Sequence, residues 1–220
     1  MFHMSRRSLV IILIITLVLC VYAWYASDQA LRADARRFGD AYKTLSDAAF
    51  LPGAAGNPVR AAANRALAEV LTGSITPAER IERSRDGQAL LKEIEQEIDV
   101  IPEARAAADS ARERLVSRRY SLGGLRHVGS LRQIDGIAEE QARLVEDIRG
   151  LSYGANYHTD KIFARVVDDG GVLADSFVAS LNDEIPQVEE QFNRRSNLYA
   201  ELQQVDYRME TLLEGLGVPR

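Results

Sequence analysis

Residues 9–26 read LVIILIITLVLCVYAWYA, an apolar run of eighteen residues without a charged side chain. A helix of this length, at about 1.5 Å per residue, spans roughly 27 Å, close to the thickness of the hydrocarbon core of a bilayer. Eleven of the residues are Leu, Ile or Val, and the aromatic residues gather at the C-terminal end, where amphipathic rings favour the headgroup layer. The run predicts a transmembrane helix, and the residues expected to hold it in the bilayer are Leu9, Ile12, Ile15, Leu19, Tyr22, Trp24 and Tyr25.

Positive charge beside this apolar run predicts its orientation. Arg6 and Arg7 precede the run directly, and short basic flanks prefer the cytoplasmic side. Arginines also follow the run, but there they are mixed with Asp28 and Asp34. We therefore expect a single-pass protein of the cell membrane, with a cytoplasmic tail at residues 1–8, a signal-anchor helix at 9–26 and an extracytoplasmic domain at 27–220.

A cleaved secretory signal peptide is the alternative interpretation of the same run. Such a peptide needs small residues before the cleavage site. A cut after Ala26 would place Trp24 at one of these positions, and a lipoprotein signal would need a small residue where Leu19 precedes Cys20. A cut after Ala23 would place Val21 at that position, which is tolerable but poor. Because all these sites are poor and the run is longer than an ordinary signal-peptide core, we favour an uncleaved anchor.

Composition limits what the remainder of the chain can do. The whole chain of 220 residues carries a net charge of −5, and residues 1–26 contain two arginines and no acid, so the remainder carries −7. A general nucleic-acid-binding domain needs a basic face, so no nucleic acid is expected as a partner. The only cysteine, Cys20, lies inside the apolar run, so no disulfide can form within the following domain.

The pattern after Ser27 is helical. Apolar residues at steps of four and three indicate one buried face that continues from the apolar run, formed by Leu31, Ala35, Phe38, Tyr42, Leu45 and Ala49. This face is either the buried side of one bundle helix, which we favour, or the seam of a self-associating coiled coil. Residues 51–58, LPGAAGNP, end the helix, and a short helix is expected at residues 59–71.

A capping box predicts where the next helix begins. Thr76 can cap the helix, Pro77 fits its first turn, and Glu79 can bond back to the cap. The apolar periodicity that follows predicts a helix to about Tyr120, with a bend at Pro102 because proline lacks the backbone donor.

Glycines and prolines divide the second half of the chain. Ser130 and Gln133 predict a second capping box, and the heptad face behind it contains one polar residue, Gln141. The predicted ends and breaks are Gly150 and Gly154, which loosen the end of this helix, the Asp-Asp-Gly-Gly sequence at 168–171, which divides the stretch at 157–185, and Pro186, which precedes a last helix. The fold class predicted is all-α: a single transmembrane helix followed by an elongated antiparallel bundle of about four to six helices.

The sequence lacks the motifs of the common catalytic and metal-binding sites. His127 and His158 lack the Glu-x-x-His spacing of di-iron bundles, and we expect both at the surface or at helix ends. The Asp-Asp-Gly-Gly sequence lacks the alternating acids of a calcium-binding loop and predicts a turn. No phosphate-binding loop and no nucleophile motif is present. The sequence predicts no enzyme, no metal site and no cofactor.

An arginine-rich segment stands out in this acidic domain. Between residues 105 and 132 seven arginines face two acids, and six of them form a candidate patch for an anionic partner: Arg112, Arg114, Arg118, Arg119, Arg126 and Arg132. The competing interpretation is structural, since arginines near a helix end offset its dipole and pair with acids on neighbouring helices. We slightly favour a position far from the membrane for this patch; the alternative places it beside lipid headgroups.

Two hypotheses of function follow. The first is a single-pass helical scaffold or protein-interaction module at the outer face of the membrane, which binds protein partners or itself through helices. The second is an extracytoplasmic, sensor-like bundle that binds a small molecule and signals through a partner membrane protein. A pocket with converging Arg and Tyr would favour the second, and a filled core the first. In outline the chain resembles the four-helix sensor domains of bacterial chemoreceptors, although it shares no motif with them and no second apolar run follows Ala26.

Overall fold

The structure is a computed structural model that describes residues 6–53, 56–72 and 74–218, apart from the side chains of residues 6–10 and 176. The first five residues of the expected tail and the side chain of Leu9 thus lie outside the described part. The described residues contain no strand, and their α-helices are α1 (Arg6–Phe50), α2 (Pro58–Leu71), α3 (Pro77–Ile98), α4 (Ile101–Ser117), α5 (Val128–Asp168) and α6 (Asp175–Gly215). The all-α prediction is confirmed.

Helix α1 is uninterrupted for 45 residues. It leaves the apolar run and enters the bundle without a break, as the periodicity predicts. The six residues of the predicted buried face are all buried: Leu31, Ala35, Phe38, Tyr42, Leu45 and Ala49. This confirms the face, and it packs against other helices of the same chain.

The predicted long helix that follows Thr76 is two helices. Its capping box is confirmed, since Thr76 Oγ1 accepts from the Glu79 amide and Glu79 Oε2 accepts from the Thr76 amide. The expected end at Tyr120 is wrong, because α3 ends at Ile98 and α4 ends at Ser117. Pro102 has no N–H for the Ile98 carbonyl, and its ring crowds that carbonyl, so the chain breaks here rather than bending.

Two expected interruptions in the second half are absent. Helix α5 continues through Gly150 and Gly154, and α6 continues through Pro186. Tertiary packing explains the continuity of α5, because Ser152, Ala155 and other residues between and beyond the glycines are buried against neighbouring helices. The predicted division at 168–171 is confirmed: α5 ends there, and Gly170 and Gly171 adopt φ angles of 65° and 75°, which suit glycine.

The second capping box is also absent. Ser130 is the third residue of α5 rather than the residue before it, because a 3-10 turn at Leu125–His127 leads directly into the helix. His127 occupies the N-cap position and makes no side-chain capping bond.

Contacts along α5 give the direction of each helix. Gln141 meets Tyr42 of α1 and, further along α5, Asn156 meets Arg60 of α2. Helices α1 and α2 therefore follow one another in the direction of α5. We refer to them together as the first rod of the bundle.

The other two rods run the opposite way to α5 and the first rod. Tyr153 bonds to Asp99 at the end of α3, whereas Arg112 of α4 pairs with Asp135 near the start of α5. Helix α6 returns beside α5 and α1, with Arg208 paired to Glu140. The structure is thus a four-rod antiparallel bundle, formed by α1 with α2, α3 with α4, α5, and α6.

Candidate functional site

The apolar run is exposed along its described length. The predicted anchor residues with described side chains have exposed fractions between 42% and 70%: Ile12, Ile15, Leu19, Tyr22, Trp24 and Tyr25. Within the described part of the chain, one helical segment is long and apolar enough to cross a membrane, and it begins in this run. We call the end of the bundle where the run enters the basal end.

Two buried acids of α1 organise the basal end. Asp28 and Asp34 are 5% and 6% exposed. Asp28 pairs with Arg32 at 2.9 Å and with Arg126 at 2.5 Å. Asp34 pairs with Arg118 at 2.6 Å, and Arg37 of its own helix lies 3.6 Å away. Each acid thus joins α1 to the connection between α4 and α5.

The connection itself is clamped onto the first turn of α1 beyond the apolar run. The Gly123 amide donates to Ser27 Oγ at 2.9 Å. A Cβ atom at Gly123 would lie 2.7 Å from the Asp28 backbone nitrogen, so only glycine permits this approach. The Arg126 guanidinium lies 5.1 Å from the Trp24 ring centroid, which ties the connection to the run.

The expected position of the arginine patch, far from the apolar run, is therefore wrong. A distal position would require the short helix at 59–71 to turn back beside α1, but α2 continues outward and α3 with α4 makes the return. Arg118 and Arg126 consequently arrive at the basal end.

The six patch residues do not form one surface. Arg112, between α4 and α5, has Asp109, Asp135 and Glu139 within 4 Å. Arg119 stacks on the neighbouring Tyr120 ring at 4.7 Å. Arg114 and Arg132 are exposed and have no ion pair within the described residues. The structural interpretation therefore accounts for Arg112, Arg118 and Arg126.

A second cluster, formed by two buried arginines, was not predicted from the sequence. Arg60 of α2 and Arg195 of α6 are 5% and 4% exposed, and neither has an acid within ion-pair distance in the described chain. Arg60 donates to Asn156 Oδ1 at 3.0 Å and to the Pro52 carbonyl at 3.1 Å. Both guanidinium groups lie over the Phe192 ring, at 5.8 and 4.7 Å from its centroid.

The electrostatics of this arginine pair are unfavourable. Burial and the nearby charge of Arg195 lower the pKa of Arg60 to about 10, and burial also lowers the pKa of Arg195. Arg60 Nη2 and Arg195 Nε are buried and have no hydrogen-bond partner within the described part of the chain. Nothing in the sequence distinguishes these two arginines from the exposed ones, because their burial depends on how α2 and α6 meet.

A buried polar network joins α1, α5 and α6 on the side of the arginine pair that faces the basal end. Gln141 Nε2, on α5, donates to Ser46 Oγ at 2.7 Å, and Ser46 Oγ donates to Asp206 Oδ1 at 2.8 Å. Burial raises the pKa of Asp206, although the bond from Ser46 opposes this. Asp206 borders a groove of about 470 Å³ between α1 and α6. Ser46 is thus the centre of the network, and Gln141, the polar seam residue predicted from the heptads, is one of its members.

The histidines do not converge. His127 lies at the start of α5, as expected, but His158 lies in the middle of α5, half-buried, and its Nδ1 is 2.6 Å from Glu184 Oε2 of α6. Among the described residues no group of three or more His, Cys, Asp or Glu side chains could hold a metal ion.

Comparison of the chain with protein-family models, with curated proteins and with solved structures gave no match. The proposals below therefore rest on this chain's own residues.

Proposed function

We propose that the protein is a single-pass, membrane-anchored helical scaffold or protein-interaction module. Its N-terminus would lie in the cytoplasm, residues 9–26 would span the membrane, and the bundle would stand at the outer face. One observation carries this proposal: α1 runs without a break from the exposed apolar run into the buried core. An unbroken helix passes orientation from membrane to bundle, as expected of a rigid support.

The distribution of exposed apolar surface supports the anchor. Inside the bundle, Leu31, Phe38 and Leu45 of α1 are about 1% exposed, whereas Ile12, Leu13 and Leu19 of the same helix are at least half exposed. Soluble proteins rarely expose a contiguous apolar surface of this kind. In a bilayer the same side chains would contact lipid tails and would be removed from water.

Membrane extraction of the full chain tests the anchor. The chain should stay with the membrane pellet through an alkaline carbonate wash, and Leu17→Arg with Val18→Arg should release it, because each arginine at the centre of a span costs about 2.5–3.5 kcal/mol. Val178→Arg, at an exposed site on α6, is the control and should stay in the pellet. Release of the unaltered chain would contradict the anchor.

Protease access and co-purification test the rest of the proposal. In right-side-out vesicles added protease should remove the bundle, and in inverted vesicles the bundle should survive.

The detergent-solubilised chain should carry a second copy or another protein at a constant ratio. A chain recovered alone, as a monomer, would count against the scaffold.

A second candidate function is favoured by the buried arginine pair. A small-molecule-binding bundle needs a recognition group inside it, and two buried guanidinium groups with unmade hydrogen bonds suit a phosphate or a carboxylate. Arg60, Arg195 and Tyr199 converge here, which is the arrangement expected of the sensor-like alternative. The Phe192 ring, however, already contacts both guanidinium groups, and contacts of this kind are what the scaffold interpretation expects here.

Thermal unfolding of the full chain in detergent discriminates between the two candidates. For the small-molecule candidate, phosphate or acetate should raise Tm above its value in chloride at the same ionic strength, and Arg195→Gln should abolish this increase. Arg194→Gln, at the exposed neighbour that faces Glu190, is the control and should keep it. Equal Tm values in all three salts would leave the scaffold as the better proposal.

A further inference from the structure

The connection between α4 and α5 exposes large apolar side chains at the basal end. We call residues 118–127 the basal loop. Within it Tyr120, Leu122 and Leu125 are 77%, 55% and 60% exposed. These side chains contribute nothing to the described core, since the buried cluster of the bundle does not include them. Three large apolar side chains exposed on one short loop indicate a contact with something outside the bundle.

The position of the loop limits what that contact can be. Gly123 lies against Ser27 and Asp28, the first two residues of α1 after the apolar run. Leu122 and Leu125 flank Gly123 closely in the chain, so they lie at the level where α1 would leave the hydrocarbon core. Trp24 and Tyr25, which are also exposed, lie within one turn before Ser27, at the end of the apolar run.

The composition of the loop also indicates a contact with the surface of a bilayer. Residues 118–127 contain Arg118, Arg119 and Arg126 and no acid. The guanidinium groups of Arg119 and Arg126 stack on Tyr120 and Trp24. Aromatic rings, large apolar side chains and arginines together are the composition that proteins place in the interfacial layer of a bilayer.

We propose that the basal loop is a second membrane contact, inserting Leu122, Leu125 and Tyr120 into the interfacial layer of an anionic bilayer beside the anchor helix. This inference rests on the proposed transmembrane anchor. It goes beyond that anchor because a single span lets the anchor and the bundle tilt together in the bilayer, whereas a second contact fixes one side of the bundle on the lipid surface. Arg118 and Arg126 are paired with Asp34 and Asp28, so electrostatic attraction to anionic headgroups would come chiefly from Arg119, which pairs with no acid among the described residues.

Site-specific fluorescence on the full chain tests this proposal. In a Cys20→Ala background, Leu122→Cys is labelled with an environment-sensitive dye, and the protein is reconstituted through its own anchor. Vesicles of phosphatidylcholine alone are compared with vesicles that also contain phosphatidylglycerol. Val178→Cys, equally exposed but at the opposite end of the bundle, is the matched control.

The expected result is a blue-shifted emission at position 122 and quenching by nitroxide lipids labelled near the headgroup, stronger in the anionic vesicles. Position 178 should show neither effect. A dye at position 122 that stays in water while the protein floats with the vesicles would overturn the basal contact and leave the anchor standing. A blue shift without lipid quenching would also overturn it, because the loop would then contact protein. Protein that does not float would refute the anchor, and the loop proposal with it.

Discussion

Asp28 and Asp34 show how single residues set the position of the arginine-rich segment. A carboxylate removed from water costs several kcal/mol unless it is paired. Each of these acids has one arginine from α1 and one from the α4–α5 connection within ion-pair distance. The excess of arginine in this segment could be read from the sequence. Its partners could not, because Asp34 and Arg118 are separated by 84 positions and meet only in the folded bundle.

Two predicted helix caps allow a matched test at the residue scale. Thr76→Ala should lower the free energy of unfolding by about 1 kcal/mol, because the Thr76 side chain satisfies an amide of the first turn of α3. Ser130→Ala should change it by less than about 0.5 kcal/mol, since Ser130 lies inside α5 and caps nothing. Urea unfolding of the full chain in detergent, followed by far-UV circular dichroism, measures both.

The two substitutions control for each other, because both remove a hydroxyl near a helix start. Equal losses would mean that α5 begins at Ser130, as its sequence suggests. No loss in either variant would mean that the Thr76 cap does not contribute to stability.

At the scale of elements, periodicity predicted helix faces better than helix ends. The face of α1 and the polar seam position Gln141 were predicted correctly, because apolar spacing directly reflects which side is buried. The prolines were not interpreted correctly. Pro102 coincides with the break between α3 and α4, whereas Pro186 lies within α6. Both remove the same backbone donor, so the difference depends on the packing that holds each helix, which local sequence does not report.

Glycines within helices also show that local sequence does not report packing. Gly87 is a packing position: a Cβ atom there would lie 2.3 Å from the Phe163 ring, so the absence of a side chain lets α3 and α5 approach. Gly150 is unobstructed, with nothing within 4 Å of a Cβ atom. Both residues look like weak helix formers in the sequence. Only the structure shows that a side chain at Gly87 would clash with Phe163, whereas a side chain at Gly150 would not clash.

At the scale of the whole molecule, one connection decides where every later helix lies. Residues 51–57 could send the short helix back beside α1 or onward, and both options keep its apolar face buried. In the structure α2 continues onward, and Asn57 caps it by accepting from the Val59 and Arg60 amides. The return of α3 and α4 then brings residues 118–127 to the basal end. The helix faces were readable from the sequence, but this direction was not.

Cross-linking tests this direction for the whole bundle. In a Cys20→Ala background, Ser27→Cys with Leu122→Cys should join within one chain when treated with a short bifunctional maleimide, because Gly123, next to Leu122, bonds to Ser27. Ser27→Cys with Val178→Cys should not join, since position 178 lies near the start of α6 at the opposite end. Mass spectrometry of tryptic peptides identifies the linked pairs. The reverse pattern would restore the distal position for the arginine-rich segment, and with it the basal loop would lose its place beside the anchor.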